Sequence, residues 1–455
     1  MSKTRHLNRR HLLLGSLATV FATPARGQSD RLQGRPEGLD ARQFGVRAHA
    51  PGEQTQQLQR AIDRAAQANQ PLWLAAGTYR SGPLTLRAGS QLNGARGAKI
   101  ALTRGPSLLT AQDSDAIALN GVSLDGSNIA LPRDGGLVAI SGARDLHIVG
   151  CAIANANGNA IGVFRSSGAI TGNTITGSAD NALYCLDNNG LDIGGNTIAK
   201  SGNGGIRVWQ SVKRHDGSVV SGNTIDDTES RGGGNGQNGN GVNVYRASGV
   251  IVRNNTIRRA AFSAVRGNAA SNFQVIGNDC AGFGETAMYA EFEYENASFI
   301  DNIIDDAANG IAVTNFDVGG HGGIVRGNIV RNIGQRVRST LTEGSGNGFG
   351  ISIEADVIAT GNTIEDCAYA ALRLGFGPYM RNVTASGNTI RRSPYGIVVT
   401  VVKGAGRATI TGNRIEGASR GAIVGVEWHK AVSGDLTQGG AEKFPQLRLS
   451  GNRAS

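Results

Sequence analysis

The chain has 455 residues, and 68 of them are glycine against only 10 prolines. Glycine at about twice its usual share, with no Gly-X-Y period and little proline, excludes collagen. A composition of 39% hydrophobic and 18% charged residues excludes a highly charged disordered polymer. The longest apolar stretch, residues 12–22, is too short to span a membrane, and we expect no stable membrane anchor. Regular Ile and Val among so many glycines is typical of short strands joined by tight turns.

The formal net charge of +10 is concentrated at the start of the chain. Five of the 45 basic residues lie in residues 1–27, which hold no acid, so the remaining chain has 40 basic and 35 acidic residues and a net charge of +5. This residual charge favours a polyanionic partner only weakly. Because no Lys/Arg cluster of the nucleic-acid-binding kind is present, we do not expect nucleic acid to be the partner.

Residues 1–27 have the order of a secretory signal: basic, then apolar, then small. Arg9 and Arg10 precede the apolar part, and this pair resembles a twin-arginine signal, which exports proteins that are already folded. An ordinary secretory signal with a basic start is the alternative. Both predict that residues 1–27 are removed and that the protein is periplasmic or secreted. The first also predicts the twin-arginine export machinery as a partner.

Four cysteines lie far apart in the chain, at Cys151, Cys185, Cys280 and Cys367. They form no CxxC or Cys/His spacing, so a structural zinc site is not expected. Disulfides are one possibility in an exported protein, but folding before export takes place in a reducing compartment. We therefore predict small buried thiols, and we expect neither a metal nor a cofactor.

A Gly-Asn-Thr-Ile motif recurs along the chain with a base period of about 23–26 residues, interrupted by a few insertions. The intact and degenerate copies centre on Asn173, Asn196, Asn223, Asn255, Asn278, Asn302, Asn328, Asn362, Asn388, Asn413 and, truncated, Asn452. A second segment with alternating apolar and variable residues follows each copy, which is typical of a half-buried strand. Glycine at this density argues against helical repeats, and no leucine-rich consensus is present.

This repeat predicts an all-β fold, a single-stranded right-handed parallel β-helix in which each coil buries its Ile and Val against the next. Asparagine and glycine tolerate the left-handed backbone that a tight corner needs. Stacked copies bring the asparagines into a ladder in which each amide bonds to the next. We expect the solenoid to run from about residue 73 to residue 452.

The head of the chain differs from the repeats. A helix is predicted over residues 56–68, with its apolar residues on one face, followed by a strand and turn over residues 71–79. Here the chain resembles the N-terminal cap shared by the pectate lyase and polygalacturonase superfamily, through the Asp…Phe-Gly-Val start, the Thr…Ala-Ile-Asp-x-Ala helix and the Gly-Thr-Tyr that follows. A solenoid needs such a cap over its apolar end. The predicted organisation is a signal peptide (1–27), a cap with the first coils (28–94) and the β-helix repeats (95–455).

With the arginine pair and the repeats together, the chain resembles a twin-arginine-translocated repeat family related to β-helical carbohydrate enzymes. That resemblance implies an architecture and a polysaccharide context, and it leaves the reaction open. Asp305, Asp306 and His321 share some features with the paired aspartates and Gly-His-Gly of polygalacturonases. In that family, however, the aspartates directly precede the strand, whereas here they follow the Asn-Ile-Ile corner, so we do not expect hydrolysis through these residues.

Strand alternation predicts one outward face in the middle of the solenoid. It presents aromatic, arginine, amide and carboxylate groups in adjacent rows: Tyr184, Arg207, Trp209, Asn243, Tyr245, Arg266, Asn268, Tyr289 and Glu291. Later coils, such as the one with Arg373, look plainer. Aromatic rings stack on sugars and arginine pairs with carboxylates, so this face predicts binding of a polysaccharide, preferably an acidic one. The alternative is a solvated sheet face stabilised by its own stacked aromatics.

If the protein is an enzyme, lyase or epimerase chemistry fits this face best, because removing the proton beside a uronate carboxylate needs a base and a cation. Arg207 and Arg266 are the candidate cations, and Tyr245, Glu291 and the loop residue His215 are the candidate bases or acids. Tyr184, Trp209, Asn243, Asn268 and Tyr289 are the candidate substrate-binding residues. The alternative is a non-catalytic cell-envelope protein that binds carbohydrate or acts as a scaffold. Insertions at residues 229–240, 334–348 and 427–447 are expected on the binding side.

Overall fold

A computed structural model describes residues 38–234, 236–334 and 348–455. Within these ranges the chain winds into a parallel β-solenoid of about 13 turns, which confirms the predicted all-β fold. Gly38–Ser455 form one compact unit. The predicted signal peptide and nearly all of the insertion at 334–348 lie outside the described residues. Each turn contributes strands to columns A, B and C, which stack along the solenoid axis.

Column A is a sheet of 16 strands in which each strand pairs in parallel with the next. Its strands are Leu39–Asp40, Leu72–Leu74, Gln91–Gly94, Ala118–Asn120, Leu146–Val149, Gly168–Thr171, Leu191–Gly194, Val219–Ser221, Ile251–Arg253, Phe273–Ile276, Glu295–Ile300, His321–Arg326, Val357–Thr360, Val383–Ser386, Ala408–Thr411 and Leu447–Ser450.

From Thr174 onward, each strand of column B follows the asparagine corner of its turn. Its strands are Gly77–Ser81, Ala98–Leu102, Ser123–Asp125, Ala152–Ala154, Thr174–Thr176, Thr197–Ser201, Thr224–Thr228, Thr256–Ala260, the first parts of Asp279–Glu291 and Ile303–Val313, then Ile329–Ile333, Thr363–Cys367, Thr389–Arg391, Arg414–Glu416 and Arg453–Ala454.

Column C completes each turn. Its strands are Leu84–Thr85, Leu109–Gln112, Val138–Ser141, Ile161–Phe164, Asn181–Leu186, Gly204–His215, Asn240–Ser248, Val265–Asn268, the last parts of Asp279–Glu291 and Ile303–Val313, then Phe349–Ile353, Ala370–Leu374, Tyr395–Thr400 and Gly421–Glu427. The final strand also pairs in antiparallel fashion with Lys430–Asp435. That hairpin covers the last strand edge of column C, which would otherwise expose unpaired backbone groups.

The predicted capping helix is present as Thr55–Gln67, with Leu58, Ala61, Ile62 and Ala65 buried. It follows the 3-10 helix Ala41–Phe44; the other 3-10 helices are Phe316–Val318 and Ala441–Lys443. The helix lies at the start of the solenoid and covers apolar side chains that no preceding coil covers. Among the described residues, no helix is both long and apolar enough to cross a membrane.

The predicted asparagine ladder is confirmed as an unbroken chain of buried amides. Asn196 is representative: its Oδ1 accepts from Nδ2 of Asn173 at 2.9 Å, and its own Nδ2 donates to Oδ1 of Asn223 at 2.9 Å and to the carbonyl of Ile170 at 2.8 Å. The preceding Gly195 has a φ of 61°, the left-handed geometry that the corner requires. The same bonds continue to Asn452, so every corner in this series has its polar groups paired.

The core is formed by stacked apolar rows. Ile175, Ile198, Ile225 and Ile257 pair in successive turns of column B, and each is at most 1% exposed. Such rows are expected in a parallel sheet buried on its inner face. The four cysteines are free and buried, which confirms the prediction of buried thiols over disulfides.

Candidate functional site

The strand registers place the nine predicted surface residues in two adjacent rows of column C. In one row Tyr184 pairs with Arg207, Arg207 with Asn243, Asn243 with Arg266, and Arg266 with Tyr289. In the other row Trp209 pairs with Tyr245, Tyr245 with Asn268, and Asn268 with Glu291. Strand alternation therefore predicted the neighbours of each residue, because a parallel register carries each position to the same position of the next coil.

The aromatic members form edge-to-face contacts from coil to coil. Ring centroids are 5.8 Å apart between Tyr184 and Trp209 and 5.4 Å apart between Trp209 and Tyr245. Phe164, which was not predicted, extends the series with a distance of 5.7 Å to Tyr184. The indole Nε1 of Trp209 donates to Oδ1 of Asn243 at 2.6 Å. These contacts hold half-buried rings at the surface in fixed orientations.

Arg207 is only 7% exposed, so the expectation of an open arginine at this position is wrong. Two residues of the predicted insertion pack against it: one guanidinium nitrogen of Arg207 donates to the carbonyl of Gln237 at 2.7 Å and to the side chain of Asn238. The guanidinium carbon lies 4.9 Å from the ring centroid of Trp209. Burial lowers the pKa of Arg207, but arginine remains charged in such surroundings.

Arg266 and Glu291 are also enclosed, which corrects the expectation that they face solvent. Glu291 is 1% exposed and Arg266 5%. Their charged groups form two hydrogen bonds of 2.6 and 2.7 Å, and Glu285 accepts a third from Arg266 at 2.9 Å. Asn268 donates to Glu291 at 3.0 Å. The arrangement is that of an internal ion pair, which leaves neither group facing solvent.

The remaining residues of the face differ in their exposure and in their neighbours. The guanidinium of Arg266 lies 5.1 Å from the ring centroid of Tyr289, and burial raises the pKa of Tyr289 to about 12. Asn243 is 2% exposed, so it too is not open to solvent. Tyr245 is half-buried, with the guanidinium of Arg246 at 4.9 Å from its ring centroid. A substrate therefore meets mainly the rings of this face.

His215 lies apart from the other candidates. It is exposed, ends the strand Gly204–His215 and pairs with Ser248. The register shifts between Trp209 and Arg214, and this irregularity carries the end of the strand toward the turn between columns C and A. His215 therefore does not lie in the same cleft as Arg207, and the two do not form the base and cation of one site.

A cleft of about 390 Å³, which we call the aromatic cleft, opens at the start of the column C strands. Its lining combines two aromatic rings with charged and amide groups: Arg133, Asp134, Asn159, Asp180, Asn181, Tyr184, Asn203, Arg207, Trp209, Gly232, Gln237 and Asn238. Asn203 donates to Asp180 at 3.0 Å. The carboxylates of Asp134 and Asp180 offset the guanidinium groups of Arg133 and Arg207. Three of the predicted residues, Tyr184, Arg207 and Trp209, meet in this cleft.

Sequence reasoning missed the acidic side of the cleft. Asp134 lies in an irregular loop, and Asp180 directly precedes the strand Asn181–Leu186. The position of Asp180 at the start of an outward-facing strand was a usable signal. The contact of Gln237 and Asn238 with Arg207 had no local signal, because they lie 30 and 31 positions after Arg207 in the chain.

The coil with Arg373 presents charged and aromatic side chains, so the expectation that it is plain is wrong. Its Nε donates to Oγ of Ser352 at 2.7 Å, and its guanidinium lies 4.3 Å from the ring centroid of Phe349. Glu354, which is 6% exposed, accepts from the backbone N–H of Phe316 at 2.9 Å. Burial raises the pKa of Glu354 to about 7. Contacts within the protein therefore hold Arg373 and Glu354 in place.

Asp305 and His321 lie in different columns. Asp305 is in a column B strand, where it forms an ion pair with Arg331 at 3.0 Å. His321 begins a column A strand, and its Nδ1 lies 2.8 Å from the carbonyl of Gly319. Within the described ranges, no three His, Cys, Asp or Glu side chains converge in a way that can hold a metal ion.

Comparison with known proteins agrees with this architecture. Residues 112–234 match the family described as "Right handed beta helix region". No curated protein matches the chain.

Among solved structures, PfbA, a surface adhesin of Streptococcus pneumoniae, is similar with a TM-score of 0.50 and 15% identity, over 87% of this chain and 95% of that chain. The A-module of the mannuronan C-5 epimerase AlgE4 from Azotobacter vinelandii has a TM-score of 0.49 and 16% identity, over 87% of this chain and 100% of that chain. The catalytic unit of a GH87 alpha-1,3-glucanase from Streptomyces thermodiastaticus has a TM-score of 0.46 and 14% identity, over 92% and 69%. At these identities the likeness concerns the fold alone.

Proposed function

We propose that the protein binds a polysaccharide and that one sugar unit docks in the aromatic cleft. The observation that carries this proposal is the meeting of Tyr184 and Trp209 with carboxylate and amide side chains in one concave surface. The half-buried rings offer apolar area to the face of a sugar. The amides and carboxylates around them are the kind of few, convergent polar groups that orient a ligand, and they match sugar hydroxyls as donors and acceptors.

Neighbouring residues also hold the Trp209 ring in a fixed orientation before a ligand binds. Trp209 is fixed by its bond to Asn243 and by edge-to-face contacts with the two tyrosines on either side. A ligand therefore pays little conformational entropy to order the indole. The insertion that closes over Arg207 forms one wall of the cleft through Gln237 and Asn238, as expected for an insertion on the binding side of a solenoid.

The proposal is tested by comparing two tryptophans. Trp209→Ala should weaken binding to the preferred glycan of a panel containing alginate, pectate and neutral glycans by about tenfold or more. Truncating a tryptophan that anchors a ligand costs about 2 kcal/mol or more, and about 1.4 kcal/mol corresponds to a tenfold change. Trp73→Ala is the matched control, because Trp73 is half-buried like Trp209 but lies in column A, outside the cleft. Equal affinities for the two variants on every glycan would overturn the proposal.

A second candidate function is proton transfer on a uronate in the same cleft. It is favoured by the presence of the Asp180 carboxylate beside the cation Arg207. In this scheme Asp180 takes the proton beside the substrate carboxylate, and Arg207 stabilises the negative charge that the carbon–hydrogen electron pair leaves there. A lyase then expels the neighbouring glycosidic oxygen and forms a double bond, whereas an epimerase returns a proton to the opposite face.

The proton-transfer function can be tested separately from glycan binding. Asp180→Asn keeps the shape of the side chain and its contact with Asn203, so it should retain glycan binding and lose formation of the ultraviolet-absorbing double bond or solvent-deuterium incorporation. If the unchanged protein shows neither reaction on any glycan that it binds, proton transfer is overturned and the proposal of polysaccharide binding stands alone.

We also propose export to the periplasm or beyond, through the twin-arginine machinery. The support is the basic, apolar and small order of residues 1–27 and the Arg9-Arg10 pair. The resemblance to the twin-arginine-translocated repeat family belongs to the same proposal. A periplasmic or secreted location brings the protein into contact with cell-envelope and extracellular polysaccharides.

A further inference from the structure

A second cleft, of about 670 Å³, lies at the turn between columns C and A. We call it the basic corner; its lining is Arg144, Arg165, Ser166, Ser167, Asp187, Asn188, Asn189, Arg214 and His215. The aromatic cleft and the basic corner are served by the same coils. Besides Tyr184, Arg207 and Trp209, which lie within column C strands, the first cleft is lined by residues that precede or begin such a strand. The second is lined by residues that follow or end one, so Asp180 and Asp187 lie on either side of Asn181–Leu186.

The charges of the basic corner are unbalanced in favour of an anion. Among the lining residues themselves there are three arginines and a histidine but one carboxylate, that of Asp187. This carboxylate is already occupied: it accepts from the backbone N–H and the hydroxyl of Ser211 at 2.7 and 2.9 Å, and Arg214 lies 3.3 Å away. Arg144 is held by Asp115 at 2.6 Å. Two arginines are thus anchored at the edge of the cleft.

Arg165 and His215 are the groups that remain for a ligand. Arg165 is exposed, donates to Oγ of Ser141 at 2.6 Å and has no carboxylate within ion-pair distance among the described residues. The exposed His215 ring has no hydrogen-bond partner in the part of the chain that the structure describes. An exposed guanidinium with unused donors is suited to a carboxylate, which it can bind through two parallel hydrogen bonds.

We propose that the basic corner binds acidic groups of the same polysaccharide whose sugar ring stacks in the aromatic cleft. The chain then crosses column C along the strands rather than along the solenoid axis. The six residues of Asn181–Leu186 span roughly 20 Å, so a short oligosaccharide reaches from one cleft to the other. This inference rests on the proposed function and adds its substrate class, a glycan bearing uronate carboxylates. The aromatic cleft contributes ring contacts, and the basic corner contributes the preference for negative charge.

The test compares pectate oligosaccharides with their methyl-esterified forms, which keep the rings and remove the charge. Arg165→Gln combined with His215→Gln should weaken binding of the acidic form about tenfold, because a charge-assisted pair is lost, and leave the ester unchanged. Trp209→Ala should weaken both forms. Arg448→Gln is the matched control, since Arg448 is an exposed arginine in the last strand of column A. Arg165→Lys, which keeps the charge, should recover part of the acidic binding.

The outcomes separate this inference from the proposed function. Unchanged binding of the acidic form by the double variant, with weakened binding by Trp209→Ala, overturns the basic corner and leaves the glycan cleft standing. No effect of Trp209→Ala on either form overturns the proposed function and the crossing path with it. Duplex DNA that binds as tightly as pectate, and is weakened equally by the double variant, shows a general polyanion site and overturns the uronate assignment. Equal thermal midpoints confirm that the variants are folded.

Discussion

The guanidinium of Arg266 and the carboxylate of Glu291 face each other across adjacent coils, with Nε–Oε1 and Nη2–Oε2 distances of 2.6 and 2.7 Å. Both residues lie on the outward side of column C, and both are buried there. This pair is costly to break, because removing Glu291 takes two carboxylate hydrogen bonds from a buried guanidinium and leaves it only Glu285 as a charged partner among the described residues.

Glu291→Ala should therefore lower the free energy of unfolding by about 3–5 kcal/mol, measured by chemical denaturation. Replacing all three charged members, as Arg266→Met with Glu285→Gln and Glu291→Leu, should recover much of this loss, since the carboxylate of Glu285, which also binds Arg266, is then removed as well. A Glu291→Ala protein of unchanged stability that no longer binds or converts a glycan would show that the carboxylate serves the ligand and not the fold.

The asparagine ladder predicts that replacing an interior asparagine lowers the stability more than replacing the last one. Asn196→Ala removes side-chain bonds to Asn173, Asn223 and Ile170 and leaves buried partners unpaired, so it should cost about 1–3 kcal/mol. Asn452→Ala is the matched control, because Asn452 ends the ladder and is only partly buried. Thermal midpoints measure the difference, and an equal effect at both positions would contradict the contribution of interior amides.

Glu354 predicts a pH dependence of stability with a definite sign. Burial raises the pKa of Glu354 from 4.5 to about 7 in the folded protein, against the smaller opposing effects of the Phe316 N–H and Arg373. Between these two pH values the folded state binds more protons than the unfolded state, so this group makes the protein less stable as the pH rises from 4.5 to 7. Above pH 7 this destabilisation by Glu354 is complete and amounts to about 3 kcal/mol of the free energy of unfolding.

Glu354→Gln removes the titrating group and keeps an oxygen that can accept from Phe316. The stability of the variant relative to the natural protein should therefore increase between pH 5 and pH 8, as measured by urea denaturation at both values. The same pH dependence in both proteins would exclude Glu354 as its source.

The arginine pair predicts the route of export. Changing Arg9→Lys and Arg10→Lys keeps the positive charge and removes the motif, so export through the twin-arginine machinery should fall sharply. An ordinary secretory signal needs only positive charge and should survive the change. Cell fractionation measures both outcomes, and full periplasmic yield from the double variant would favour the ordinary route.

The solenoid and its register were predictable from the sequence because they depend on local periodicity. The spacing of Asn196 and Asn223 sets the coil length, and the alternation around Arg207 and Trp209 places both on the outward side. The capping helix was predictable for the same reason, since its apolar residues recur at helical spacing. These features need no knowledge of which distant segments meet.

Accessibility was decided only by the tertiary structure. Alternation identifies the side of a strand but not what covers it, and at Arg207 the cover comes from Gln237 and Asn238 in an irregular insertion. Likewise, Phe316 reaches Glu354 across 38 residues. Such contacts depend on the path of aperiodic loops, and these loops have no sequence repeat from which their path can be predicted. The sequence by itself therefore determined the coil, the ladder and the rows of side chains, whereas three-dimensional packing determined which of those side chains a ligand can reach.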